Sequence, residues 1–154
     1  MQDWPLSVTI IESQYLFPFL EGLHLLTVTV SVGFLMFLDL RLLGLVFRRL
    51  SVTEIVGRLH PWTLAAFSVM TASGALLFVS QAVKAWHSGW FRMKMALLIL
   101  AGLNALYFHL RLYPKRAQWD DSAPAPGSVR FVAAASLALW TLVICAGRMM
   151  AYHI

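Results

Sequence analysis

Glu21 and His24 stand three residues apart, and Lys94 and Arg148 each sit in a separate apolar run. A three-residue spacing puts two side chains on one helix face. Ionisable groups in such runs are expensive to place in hydrocarbon, so they mark candidate sites. One carboxylate, one imidazole and two cations at matching depth make an outer polar site, which Gln81 is placed to join. Direct contact of Glu21 with Arg148 or Lys94 is expected. Such a set can bind a quinone through its carbonyls, hold a small ion or exchange a proton. His87 and His153 flank this level and are expected to be exposed.

A second group falls at the other face: Asp39, Arg41, His60, His109 and Arg111. Glu21 and Asp39 are 18 residues apart in the chain, which is about five helical turns, so they point the same way at opposite faces. His60 and His109 come from different runs at similar depth. Two facing histidines are the minimum for six-coordinate haem iron. On that reading His60 and His109 ligate the iron of a haem b, and Arg41 and Arg111 pair with its propionates. The same histidines also read as interfacial groups bonded to loop carbonyls, and Asp39 and Arg41 as partners or helix-end anchors. Asn104, Ser68, Thr71 and Ser73 are expected to make interhelical hydrogen bonds.

Four apolar stretches must position these groups, at about 16–38, 61–83, 91–112 and 131–152. Each reaches the ~20 residues that a helix needs to cross a ~30 Å hydrocarbon core. With 60% hydrophobic residues, 12% charged residues and a mean hydropathy of +0.73, little chain remains for a soluble domain. The expected fold is all-α: a single integral membrane domain over 1–154, built as a four-helix transmembrane bundle. Pro18 suits the first turn of span 1, Gly44 its close, Pro61 the start of span 2, and Pro114 the end of span 3. Residues 4–14 read as a surface segment. Gly33, Gly74 and Gly102 allow close helix approach.

The formal charge of +5 is no nucleic-acid signature, because the basic residues cluster at helix ends. Arg41, Arg48, Arg49 and Arg58 follow span 1, and Arg111, Lys115, Arg116 and Arg130 follow span 3. The N-terminal tail has no Lys or Arg, so it lacks a signal peptide's positive region and span 1 is expected to be retained. The positive-inside rule puts both arginine-rich loops in the cytoplasm and both termini on the outer side. Tyr15, Trp86, Trp90 and Tyr152 then form one interfacial belt, and Trp62, Tyr113 and Trp119 the other. The single cysteine, Cys145, excludes an internal disulfide and a cysteine zinc site and reads as a small packing residue.

The segment EGLHLLTVTVSVGFLMFLDLRLLG resembles the first span of a bacterial family of small four-helix inner-membrane proteins of unknown function. HPWTLAAFSVMTASGALLF, FRMKMALLILAGLNALYFH and SLALWTLVICAGRMMAY match the same pattern. The resemblance implies that His24, Asp39, Arg41, Lys94, Asn104 and Arg148 belong to the family pattern, and that the chain lies in a bacterial inner (plasma) membrane. A looser similarity, four spans with histidines near both faces, is to the cytochrome b561-like proteins and to copper-resistance membrane proteins. The chain departs from a di-haem pattern there. An outer haem would pair His24 with His153 or His87, and His24 and His109 sit toward opposite faces.

Three functions follow as expectations. The leading one is a membrane redox subunit that binds haem b and exchanges electrons with quinone or a partner protein. The second is transport of an ion, metal or proton by a homo-oligomer. The third is a structural accessory subunit of a larger membrane complex. All three have membrane lipid as a partner and none has nucleic acid. No phosphate loop, nucleophile elbow or HExxH pair supports soluble-enzyme chemistry.

Overall fold

The computed structural model describes residues 13–120 and 125–153, without the side chain of residue 153. The expected surface segment at 4–14 lies largely outside the described residues, as does the His153 imidazole. Four long helices carry the fold: α1 Leu16–Leu42, α2 Val52–Ser80, α4 Gly89–Tyr107 and α5 Gly127–His153. A short helix, α3 Ala82–His87, links α2 to α4. Among the described residues there is no strand. All four long helices are long and apolar enough to span a membrane. The start of α1 and the end of α5 therefore lie at one end of the bundle, and the arginine-rich connections after α1 and α4 at the other.

Hydropathy located the spans, and local chemistry set their ends. Gly44 closes α1 as expected. It takes φ 76°, Leu45 N–H bonds Leu40 O at 3.0 Å, and Gly44 N–H bonds Arg41 O at 2.9 Å. That is the Schellman pattern, in which a left-handed residue lets the chain cap its own last carbonyls. The start of α2 corrects the expectation at Pro61. Ser51 Oγ accepts from Glu54 N–H at 3.1 Å, and Asp120 Oδ1 accepts from Thr53 N–H at 2.7 Å. With its first turn capped, α2 begins at Val52 and carries Pro61 inside it. Membrane helices tolerate this because neighbouring groups satisfy the carbonyl that proline leaves. The helix of span 3 is α only to Tyr107; Phe108–Leu112 widens to a π turn and Tyr113–Gln118 tightens to 3-10.

The lateral order is α2–α1–α5–α4. α1 packs on α2 and on α5, and α4 packs on α5. α2 and α4 share no seam along their length, though Phe78 stacks on Phe91 near the terminal end with centroids 5.1 Å apart. Mid-bundle, Val32, Ala101, Trp140 and Val143 form one apolar cluster, with Phe67 edge-on to Trp140 at 5.5 Å. At the arginine-rich end a second cluster gathers Leu42, Val52, Phe108, Trp119, Val129 and Val132.

Three smaller expectations change here. Trp119 is 5% exposed and belongs to that second cluster, so it is a core residue and not part of an interfacial belt. Cys145 is exposed on the outer surface of α5 and packs nothing in the bundle interior. Of the glycines expected to permit close approach, a Cβ would meet a neighbour at Gly74 and would meet none within 4 Å at Gly33 or Gly102.

Candidate functional site

One turn of α2 forms a cradle for His24. Its Nδ1 lies 3.0 Å from the Met70 carbonyl and 3.0 Å from Ser73 Oγ. A carbonyl only accepts, so Nδ1 carries the ring proton and Nε2 keeps its lone pair; the tautomer is assigned by this network. Ser73 donates its own hydroxyl proton to the Val69 carbonyl at 2.8 Å, which leaves its oxygen to accept from His24. Gly74 makes the seat possible, since a Cβ there would come within 3.0 Å of His24 Cε1. Below His24 on α1, Thr27 and Ser31 turn their hydroxyls back to carbonyls of their own helix.

Lys94 reaches the same level from α4. Its side chain lies over Gly147 of α5, where a Cβ would meet Nζ at an ordinary contact distance of 3.5 Å. Lys94 is half-buried and within electrostatic reach of His24. Among the described residues its ammonium has no hydrogen-bond acceptor. All four long helices thus contribute to one layer: His24 from α1, Ser73 and Gly74 from α2, Lys94 from α4, and Gly147 from α5.

The rest of the expected outer set is arranged differently. Glu21 is exposed and makes no ion pair or hydrogen bond among the described residues, so its expected contact with Lys94 or Arg148 is not formed. Arg148 is exposed as well. It donates to Tyr152 Oη at 3.2 Å and lies over that ring. Either cation could have met Glu21; the i,i+4 spacing of Arg148 and Tyr152 gives the guanidinium a nearer partner on its own helix. Gln81 ends α2 and precedes α3. His87 is exposed, as expected, with Nδ1 2.8 Å from the Val83 carbonyl.

At the arginine-rich end, Arg41 is fully buried. Its Nε donates to the Leu50 carbonyl at 2.8 Å and its Nη2 to the Asp120 carbonyl at 3.4 Å. It is therefore a helix-end anchor that holds both loops. Asp39 is buried, with Ser136 of α5 beside its carboxyl group. His60 and His109 are both exposed, and no contact joins them. His109 Nδ1 lies 2.9 Å from the Ala105 carbonyl of its own helix, and its ring lies beside Phe108 and Tyr113. Arg111 is exposed beside a shallow groove bounded by Tyr107, Leu110 and Lys115. Among the described residues no three His, Cys, Asp or Glu side chains converge on a point, as a protein-made metal site needs. Asn104 holds α4 to α5 as expected, donating from Nδ2 to the Val132 carbonyl at 3.1 Å. Ser68 and Thr71 are exposed and bond carbonyls of their own helix.

Two residues of these sites carried too little signal to be singled out from sequence. Gly147 is hidden by its neighbour Arg148, whose charge draws the attention. Ser136 is one hydroxyl in the apolar run FVAAASLALW, and only its place opposite Asp39 gives it meaning.

Fold and site together define a small four-helix integral membrane protein with a polar layer in the half of the bundle where α1 begins and α5 ends. The chain belongs to a family of unknown function, DUF6644, which it matches over residues 13–153. No curated protein and no solved structure matches it, so no such match connects it to the four-helix cytochromes b.

Proposed function

We propose that this protein is a redox subunit of the bacterial plasma membrane that binds a quinone at the His24–Lys94 layer, with both chain ends on the outer side. The observation that carries the reading is the pair of contacts at His24 Nδ1, from which its tautomer is assigned. With Nδ1–H committed to Met70 O and Ser73 Oγ, Nε2 is an oriented proton acceptor inside an apolar bundle. Lys94 supplies the complementary cationic donor. A quinone head group needs that pair: a donor for its carbonyl oxygen and an acceptor for the hydroxyl of the reduced form. When a bound quinol becomes quinone it releases two electrons and two protons. His24 Nε2 takes one proton, water at the outer face takes the other, and Lys94 stabilises the charge on the ring oxygen as it develops. The electrons pass to a haem or iron–sulfur partner protein in the membrane.

A haem b held by His60 and His109 belongs to the same class of function, and the Nδ1 bond of His109 leaves its Nε2 open to such use. No step above runs through it. The visible absorption spectrum of the purified protein tests it directly.

The quinone reading is tested by titrating purified protein with a short-chain quinone analogue and following tryptophan fluorescence. His24→Ala and Lys94→Met should each weaken binding at least about tenfold, or ~1.4 kcal/mol. His87→Ala should leave it unchanged. Wild-type protein that shows no saturable quenching ends the reading.

A further inference from the structure

We propose that Asp39 is a proton-binding site within the membrane, held as a neutral carboxylic acid whose O–H donates to Ser136. This goes beyond the quinone site and stands without it. Asp39 is 7% exposed, and its Oδ2 is a buried polar atom with no hydrogen-bond partner. Ser136 of α5 stands beside the carboxyl group. A carboxylate in this position would be an anion with one hydroxyl for company and a bare oxygen in an apolar seam. Buried charge of that kind is removed by taking up a proton unless a cation pairs with it.

Among the described residues no ion pair to Asp39 is formed. On α1 itself Arg41 is turned to the Leu50 and Asp120 carbonyls. On α5, which covers Asp39, the charged residues Arg130 and Arg148 are exposed, and Arg148 is bonded to Tyr152. On α2, packed against another side of α1, Glu54 and Arg58 pair with each other in the open and His60 is exposed. On α4, Lys94 lies in the other half of the bundle over Gly147, and Arg92 is exposed. His109 and Arg111, in the π turn that follows α4, are also exposed.

The neutral acid resolves the mismatch. Its O–H donates to Ser136 Oγ, and the atom left without a partner is an uncharged carbonyl-type oxygen, which an apolar seam tolerates far better than an anionic one. Asp39 lies one turn from the end of α1 at Leu42, so its proton exchanges with the arginine-rich face. His24 lies 15 residues back on the same helix, about 22 Å away at 1.5 Å per residue. One helix therefore carries a proton site in each half of the bundle.

Infrared difference spectroscopy on the purified protein in lipid nanodiscs at neutral pH reads this directly. Wild-type protein should show the C=O stretch of a protonated carboxylic acid, and Asp39→Asn should lack it. Ser136→Ala, a milder change, should keep the band and move it to higher frequency, because one hydrogen bond is lost. Absence of the band in wild-type protein overturns the proposal. So does a band that survives Asp39→Asn, a band unmoved in Ser136→Ala, or a band abolished by sodium, which would make the site one for a metal cation.

Discussion

The His24 ring lies so close to Gly74 that the two positions form one structural unit. A Cβ at residue 74 would stand 3.0 Å from His24 Cε1. The ring cannot swing clear, because its Nδ1 is bonded to Met70 O and Ser73 Oγ on the same turn of α2. Gly74 is there for space, and its value is the orientation of an imidazole on another helix.

Gly74→Ala should therefore destabilise the protein by about 1 kcal/mol or more. Overpacking typically costs 1–3 kcal/mol, which outweighs the gain of up to about 1 kcal/mol from replacing a helical glycine. Gly102→Ala meets nothing within 4 Å and should be neutral or stabilising. Thermal unfolding in one detergent compares them. Equal shifts in Tm would show that the His24 contact has no energetic weight.

The spans were legible because hydropathy and length alone decide whether a helix can cross a bilayer, and those are sums over residues. The ends depended on particular partners. Ser51 and Glu54 have the spacing of a helix start, Ser-x-x-Glu, and that signal was available; Pro61 outweighed it as the apparent start. Asp120 could not be paired with Thr53 from sequence, since 67 residues separate them. The site divides the same way. His24, Lys94 and Asp39 stood out by charge in apolar runs, but helical phase alone could not say which charges meet. Glu21 and Asp39 share a phase, yet Glu21 is exposed and Asp39 is buried. The difference lies in what covers each of them, and that is set by lateral helix order.

Arg41 should be the most sensitive charged residue. It is fully buried and ties the loop after α1 to the loop before α5 through the Leu50 and Asp120 carbonyls. A lysine offers one compact donor group where the guanidinium offers a fork. Arg41→Lys should cost at least about 2 kcal/mol, and Arg48→Lys, at an exposed position, should cost nothing measurable. Chemical denaturation of the two variants decides; matching midpoints would mean that the anchor is dispensable.

Asn104 and Ser68 are both polar and both within spans, but they should behave differently. Asn104 crosses to the Val132 carbonyl on α5, whereas Ser68 is exposed and satisfied by Leu64 of its own helix. Interhelical bonds of this type contribute about 0.6 kcal/mol on average and up to about 1.7. Asn104→Leu should lower stability within that range, and Ser68→Ala should leave it unchanged. A neutral Asn104→Leu would show that apolar packing alone holds α4 to α5.

The proposed orientation rests on the arginine-rich loops and can be read from one pair of labels. In a Cys145→Ala background, His87→Cys should react with an impermeant thiol reagent added outside intact cells. Gln118→Cys should react only after the membrane is opened. The reverse pattern would invert the proposed topology and place the His24–Lys94 layer in the cytoplasmic half.

Double-mutant cycles separate the contact that forms from the one that does not. His24 and Ser73 are 3.0 Å apart and share a proton, so His24→Phe and Ser73→Ala should couple. Residues in one hydrogen-bond network show interaction energies of about 0.5–3 kcal/mol, and independent sites add to within about 0.3–0.5 kcal/mol. Because Met70 O also holds the ring, the lower part of the coupled range is expected, near 1 kcal/mol. Glu21→Gln with Lys94→Met should be additive, as should Glu21→Gln with Arg148→Gln, since Glu21 is exposed and makes no ion pair among the described residues. Coupling above about 0.5 kcal/mol in either Glu21 cycle would restore the carboxylate to the outer site. It would also give the Lys94 or Arg148 cation a resident counter-ion and so weaken the case that Lys94 waits for a ligand.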